Sequence, residues 1–199
     1  MGSLNDRLKQ WREYNRISEA GEIARRAFVN NSFDGVLTMM GVVMGNFVVG
    51  VEDATVVLVT GLSTALAIGI SGGWGAYLVE SAERRQDIDE LEHVTLTDLG
   101  DTKIGKASRA AVVTVAAVDG LSPFMAAFVV VLPFFLAPIL PSVWYAYYAA
   151  IGLALLALFG LGLYLGRLSK RSLIMSGLRT AFAGVICMGL SYALERLTK

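Results

Sequence analysis

The chain has 199 residues, a formal net charge of zero, a hydrophobic fraction of 55% and a mean hydropathy of +0.58. This apolar content exceeds that of an ordinary soluble domain, and the charges lie in patches between long apolar runs, which is typical of a polytopic membrane protein. No basic patch carries interleaved aromatic residues, which argues against nucleic acid as a partner. The single cysteine, Cys187, excludes an internal disulfide, and the single histidine, His93, excludes a histidine-rich metal site.

Residues 1–26 are predicted to form a cytosolic N-terminal segment. Apolar residues recur there at three- or four-residue spacing, with Arg and Lys between them, and this spacing predicts an amphipathic helix on the membrane surface. These residues are Leu4, Leu8, Trp11, Tyr14 and Ile17. The alternative is a solvated helical tail. The segment lacks the apolar core and cleavage site of a secretory signal.

Residues 27–199 are predicted to form an all-α domain with five transmembrane helices. Each apolar run is near the roughly 20 residues that cross a bilayer. The first predicted span runs from about Ala27 or Ser32 to Gly50. The other four cover residues 54–79, 110–137, 143–165 and 173–194.

The loop charges predict the orientation of this domain. Lys and Arg are concentrated before span one, between spans two and three, and between spans four and five, which predicts a cytosolic N-terminus and an external C-terminus. The cluster Trp144, Tyr145, Tyr147 and Tyr148 fits an aromatic belt at the outer face.

Glycines are spaced for close helix packing in three of the predicted spans. The pairs are Gly41 with Gly45, Gly69 with Gly73, and Gly162 with Gly166. A denser group, Gly72, Gly73 and Gly75, surrounds Trp74 and predicts a local break in span two, where backbone carbonyls would line a cavity.

One carboxylate, that of Asp34, is set into the first apolar run. A charge in hydrocarbon costs roughly 3 to 15 kcal/mol, so such a group usually faces a pathway or a partner. Its helical face carries Thr38, Gly41 and Gly45, with Met44 close beside it. Hard oxygen and soft sulfur on one stripe favour a divalent transition metal. The alternative is that Asp34 caps a helix beginning at Phe33, with its charge at the interface.

A second Asp-Gly pair lies near the middle of span three, where Asp119 precedes Pro123 by four residues. Spans one and three run in the same direction, so the two pairs suggest a faint parallel repeat of the kind found in transporters. Asp119 is therefore predicted to belong to the same pathway. The alternative is a structural ion pair with a basic residue such as Arg179.

Span two continues into an acidic cytosolic helix and loop, predicted to cover residues 80–107. Four carboxylates spaced by three, four and three residues share one helical face, and a bound cation would relieve their repulsion. They are Glu80, Glu83, Asp87 and Glu90. Carboxylates without histidine favour iron(II), manganese(II) or calcium over zinc. The alternative is a solvated helix in which Arg84 and Arg85 balance the acids.

Two stretches of spans one and two resemble the vacuolar iron transporter family. They are Asp34-Gly35-Val36-Leu37-Thr38 through Gly45, and Ala67-Ile68-Gly69-Ile70-Ser71 through Gly75-Ala76-Tyr77-Leu78 and Glu83. The resemblance implies five spans, a cytosolic N-terminus and a homodimer whose first spans line a metal path between protomers. It also implies export of iron(II), and often manganese(II), from the cytosol in exchange for protons. Asp34 matches the family's pathway aspartate.

The chain departs from the family pattern at two places. The family's pathway methionine after the serine of span two is replaced by Gly72, which follows Ser71, and Met44 is the candidate substitute. The segment from Ala82 to Ala107 is too short for the glutamate-rich cytosolic domain of plant members. Asp119 resembles a prokaryotic branch, which predicts a protein of a prokaryotic plasma membrane.

These observations predict a transporter of divalent metal and not an enzyme. The acidic helix would collect the ion, Asp34 and Asp119 would pass it along, and Glu52 and Asp53 would lie near the exit. Iron(II) or manganese(II) is the expected substrate, the proton is the expected coupling ion, and no tightly bound cofactor is expected. The alternatives are a non-transporting membrane scaffold and a membrane-embedded hydrolase with an Asp34–Asp119 pair. No motif for a nucleophile or a phosphate-binding loop is present.

Overall fold

The computed structural model describes Tyr14 and residues 19–198, and this part of the chain is helical without strands. The long helices are α1 (Ala20–Val49), α2 (Ala54–Thr95), α3 (Lys103–Phe135), α4 (Val143–Leu168) and α5 (Leu173–Thr198). A short 3₁₀ turn, Ala137–Ile139, follows α3. Each long helix includes a stretch that is long and apolar enough to cross a membrane. The prediction of an all-α fold with five such helices is confirmed.

The N-terminal boundary differs from the prediction. Helix α1 begins at Ala20, well before the predicted start of span one. Apart from Tyr14, the apolar residues of the predicted amphipathic helix lie outside the described residues, so that helix stays a prediction.

Helix α2 is continuous over 42 residues, and the predicted break at its glycines is wrong. At 1.5 Å per residue it is about 63 Å long, roughly twice the hydrocarbon thickness of a bilayer. The acidic segment therefore continues the second span without a break in the helix, which ends at Thr95.

The chain divides into two compact units. One comprises the described part of Met1–Phe28 with Ile70–Leu121, and the other comprises Val29–Gly69 with Ser122–Lys199. The first unit has a small core of Ala20, Ala111 and Val115, against which Ile23 packs. The second has the larger apolar core, to which α1, α2, α3 and α4 all contribute.

Helices α4 and α5 of the second unit pack closely along small residues. A Cβ built on Gly162 would lie 2.6 Å from the Cα of Gly177, and one built on Gly166 would lie 3.0 Å from the side chain of Ser176. The Thr180 hydroxyl donates a hydrogen bond of 2.8 Å to the Leu158 carbonyl. The predicted close packing at Gly162 and Gly166 is thus confirmed.

The aromatic residues at the start of α4 differ in their exposure. Tyr145 and Tyr148 are exposed, whereas Tyr147 is fully buried, and the aromatic belt at the outer face stays a prediction. The Tyr147 ring packs edge-on against Phe134 with centroids 4.9 Å apart, and its hydroxyl donates a 2.8 Å hydrogen bond to the Val51 carbonyl. Tyr147 is therefore a core residue that fixes the loop between α1 and α2.

Candidate functional site

Asp34 lies in the middle of the 30-residue helix α1 and is exposed on the single chain. The alternative in which it caps a helix beginning at Phe33 is wrong, because α1 begins fourteen residues earlier, at Ala20. Within the described residues, the Asp34 carboxylate forms no hydrogen bond or ion pair. The Asp34 carboxylate is therefore available to bind an ion, or a partner that packs against this face of α1.

The predicted stripe on α1 lies away from the core. Gly45 is exposed like Asp34, Thr38 and Gly41 are half-buried, and nothing lies within 4 Å of a Cβ built on Gly45. Thr60, Thr64 and Thr114 each donate to the carbonyl four residues earlier, whereas the Thr38 hydroxyl forms no hydrogen bond within the described part of the chain. A carboxylate and an unused hydroxyl thus share one open face.

The opposite face of α1 builds the core of its unit. Val36, Met39, Met40, Val43 and Met44 are all buried in it. Met44 is 7% exposed and packs there, while the Asp34 carboxylate points outward. The structure gives Met44 a packing role, and its role as a metal ligand stays a prediction.

Gly35 seats this part of α1 against α3. A Cβ built on Gly35 would lie 2.7 Å from the Cα of Pro123 and closer still to the Pro123 carbonyl oxygen. Only a glycine fits beside that main chain, so the residue after Asp34 fixes the approach of the two helices. The sequence alone did not predict this contact, because it depends on where α3 lies beside α1.

Gly72 makes a similar approach in the other unit. A Cβ at this position would lie 2.7 Å from the carbonyl oxygen of Asp119. Asp119 itself is half-buried and does have interactions in the structure. Arg179, the basic residue that the alternative assigns to it, is exposed and forms no ion pair within the described residues. The role of Asp119 in a pathway stays a prediction.

The acidic face of α2 is only partly free. Glu80 accepts a 2.9 Å hydrogen bond from the guanidinium Nε of Arg84, and their side chains are only 13% and 14% exposed. Glu83, Asp87 and Glu90 are exposed. In the described part of the chain, no three His, Cys, Asp or Glu side chains come together as a metal site. A metal site on this face stays a prediction, and Arg84 already balances one of its four carboxylates, as the solvated-helix alternative expects.

The loop after α2 is held by its own polar groups. Glu92 accepts a 2.6 Å hydrogen bond from the Leu99 N–H, and Arg109 donates one of 2.6 Å to the Gly100 carbonyl. Gly105 lies in the first turn of α3 against the main chain of Leu99. A Cβ built on Gly105 would be 2.5 Å from the Leu99 carbonyl oxygen. At least one acidic side chain of residues 80–107, that of Glu92, therefore stabilises the fold of this connection.

Fold and site together define a polytopic α-helical membrane protein with a carboxylate on the open face of its first span. Comparison with known proteins gives the family. The model of the VIT family matches residues 25–95 and 85–196, and the chain belongs to this family. An uncharacterized protein of Methanocaldococcus jannaschii is 31% identical over 179 residues, covering 88% of this chain and 91% of that protein. Membership indicates a metal-ion transporter and agrees with the prediction that the protein is not an enzyme.

Proposed function

We propose that the protein exports iron(II) or manganese(II) from the cytosol as a homodimer, in exchange for protons. Family membership indicates a metal-ion transporter, and the placement of Asp34 is the observation that supports the finer proposal. Its carboxylate is exposed in mid-helix within an apolar span and has no ionic partner among the described residues. A bare carboxylate facing lipid would be costly, so the stable arrangement covers it with protein and water.

A second copy of the chain is the cover that fits this face. Thr38 contributes an unused hydroxyl, and Gly45, with nothing within 4 Å of a Cβ built on it, allows the main chain of a partner to come close. Two such stripes facing each other would place two carboxylates along one path. A divalent cation between the two carboxylates would balance both of their negative charges. A single carboxylate would balance only half of the charge of the cation.

The extension of α2 supports a role in collecting the ion. Glu83, Asp87 and Glu90 are exposed on a helix that continues directly from the second span. A run of carboxylates raises the local concentration of cations, which favours their capture. Glu80 lies nearest the membrane on this face. It would bind the ion only after its ion pair with Arg84 breaks.

Proton exchange follows from the same chemistry. A carboxylate that loses a cation inside a membrane is costly as an anion, and taking up a proton removes that cost. Asp34, and Asp119 farther along the proposed route, are the groups for this step. We propose that protons returning to the cytosol drive this export across a prokaryotic plasma membrane, with the N-terminus of the protein inside.

The test is uptake of iron(II) and manganese(II) into inside-out vesicles that contain Asp34→Asn or Asp34→Ala. Loss of a metal ligand is expected to reduce flux at least about tenfold, since even an outer partner of a ligand typically contributes a factor of 10 to 100. Glu22→Gln is the matched control, because it removes one carboxylate from the same helix at an exposed position whose ionic partner among the described residues is Arg25. Undiminished flux in both Asp34 variants would remove the proposal.

Thermal melting separates a transporter from a scaffold. If the protein binds its substrate, manganese(II) should raise the melting temperature of the solubilised wild-type chain, and less so that of Asp34→Asn. A scaffold with no metal function would show the same melting temperature with and without manganese(II).

A further inference from the structure

The first unit contains a basic cavity that the proposed transport does not use. It has a volume of about 430 Å³ and lies between the extension of α2 and the first turns of α3. Arg84, Arg85 and Arg109 line it, and among the described residues no carboxylate does. Arg84 is paired with Glu80, so the positive charge facing the cavity comes from Arg85 and Arg109, which repel a divalent metal and attract an anion.

The polar groups of the cavity suit a phosphate. Arg85 is exposed and forms no hydrogen bond or ion pair within the described residues. Arg109 uses one of its five N–H donors on the Gly100 carbonyl, which holds the side chain in place and leaves other donors for a ligand. The hydroxyls of Ser81 and Ser108 also line the cavity, and neither forms a hydrogen bond in the described part of the chain. Planar guanidinium groups with neighbouring hydroxyls are typical of phosphate recognition.

The apolar residues of the cavity wall indicate which kind of molecule would carry the phosphate. On α2, Tyr77 lies about two turns before Arg84, on the side of the membrane span. On α3, which leads back into the membrane, Val112 and Val113 lie about one turn beyond Arg109. Apart from Ile88, which lies about one turn beyond Arg84, both helices place the apolar side chains of the wall toward the span and the arginines toward the loop. Lipid chains and a charged headgroup are arranged in the same order.

We propose that this cavity binds the headgroup of an anionic phospholipid, with its phosphate on Arg85 and Arg109 and its acyl chains along Tyr77 and Val113. Basic pockets of membrane helices at the loop side recognise such headgroups. A neighbouring cavity of about 240 Å³ shares Arg84 and Ser108 but is also lined by Glu19 and Asp87, so its mixed charge does not favour an anion. The loop that closes the lipid site is held by the Arg109–Gly100 and Glu92–Leu99 hydrogen bonds. The proposal does not depend on metal transport.

The experiment uses the full chain in detergent micelles, titrated with phosphatidylglycerol or with phosphatidylcholine of the same acyl chains. Native mass spectrometry counts bound lipid, and thermal melting reports stabilisation. Phosphatidylglycerol is expected to bind more tightly and to raise the melting temperature further. Equal binding of the two lipids would overturn the proposal.

Arg85→Gln is the decisive variant, because it removes a charge from the cavity without breaking an internal bond of the described residues. Its affinity for phosphatidylglycerol should fall about fivefold, the effect of one arginine near a charged surface. Arg171→Gln removes an exposed arginine outside the cavity and should bind like the wild type. The proposal fails if the two variants behave alike. It also fails if inorganic phosphate at the same concentration stabilises the protein as well as the lipid does, since the site would then serve a soluble anion.

Discussion

Gly72 of α2 lies directly against the main chain of Asp119 in α3. A Cβ on Gly72 would be 2.7 Å from the Asp119 carbonyl oxygen, and a Cβ on the adjacent Gly73 would be 3.3 Å from that of Ala116. Position 72 is where the family resemblance expects a methionine. The main chain of α3 occupies the space that a side chain would need there, so a soft ligand for the metal must come from elsewhere or be absent.

The first prediction concerns this contact. Gly72→Ala should lower the free energy of unfolding by about 1–3 kcal/mol, because overpacking against a main chain forces the helices apart. Gly75→Ala is the matched control, since nothing lies within 4 Å of a Cβ there and alanine favours a helix by about 1 kcal/mol over glycine. Melting of the solubilised variants measures both. Equal melting temperatures would show that α2 and α3 adjust freely at this point.

The second prediction concerns the hydrogen bond from Tyr147 to Val51. Tyr147→Phe keeps the buried ring but removes the 2.8 Å bond to the carbonyl, and should cost about 1 kcal/mol. Tyr148→Phe makes the same chemical change on a side chain that is 63% exposed, and should leave the melting temperature unchanged. Indistinguishable variants would mean that the loop between α1 and α2 is not held by this bond.

The third prediction separates the acids of α2. Glu80→Gln should destabilise the metal-free protein by about 1–3 kcal/mol, a value between those of exposed and buried pairs, because it removes the 2.9 Å ion pair between Glu80 and Arg84. Glu83→Gln removes an exposed carboxylate and should not change stability without metal, but it should weaken stabilisation by manganese(II). Melting curves with and without manganese(II) give both effects. A Glu83 variant that responds to manganese(II) like the wild type would contradict capture on this face.

The number of membrane-spanning helices could be predicted from the sequence because crossing a bilayer demands a minimum length of apolar chain. The course of α2 could not. Gly72 and Gly73 permit either a broken helix or a close helix pair, and the choice depends on where α3 lies. The start of α1 was missed for a related reason: residues 20–26 carry charges yet continue the helix, so hydropathy alone places the boundary too late.

The site was predictable where helical periodicity alone decides it. The period of 3.6 residues places Asp34, Thr38 and Gly45 on one face, and the structure leaves that face open. The direction of Met44 depends on the apolar core, and the burial of Tyr147 depends on Phe134 of another helix. The Glu80–Arg84 pair was visible in the sequence, since a glutamate four residues before an arginine is a favourable helix pair.

The last prediction tests whether a second copy covers the stripe on α1. Gly45→Leu places a bulky side chain where nothing lies within 4 Å, so the single chain should keep its helical content by circular dichroism. If two stripes meet, the added volume should push the copies apart, lower the dimer fraction in light scattering and reduce metal flux. Gly35→Ala is the contrasting change. It forces a Cβ against the main chain of Pro123, so it should lower the melting temperature within the chain whatever covers the stripe. A Gly45→Leu protein that remains a fully active dimer would place the interface on another face, and Asp34 would then need a different cover within the membrane.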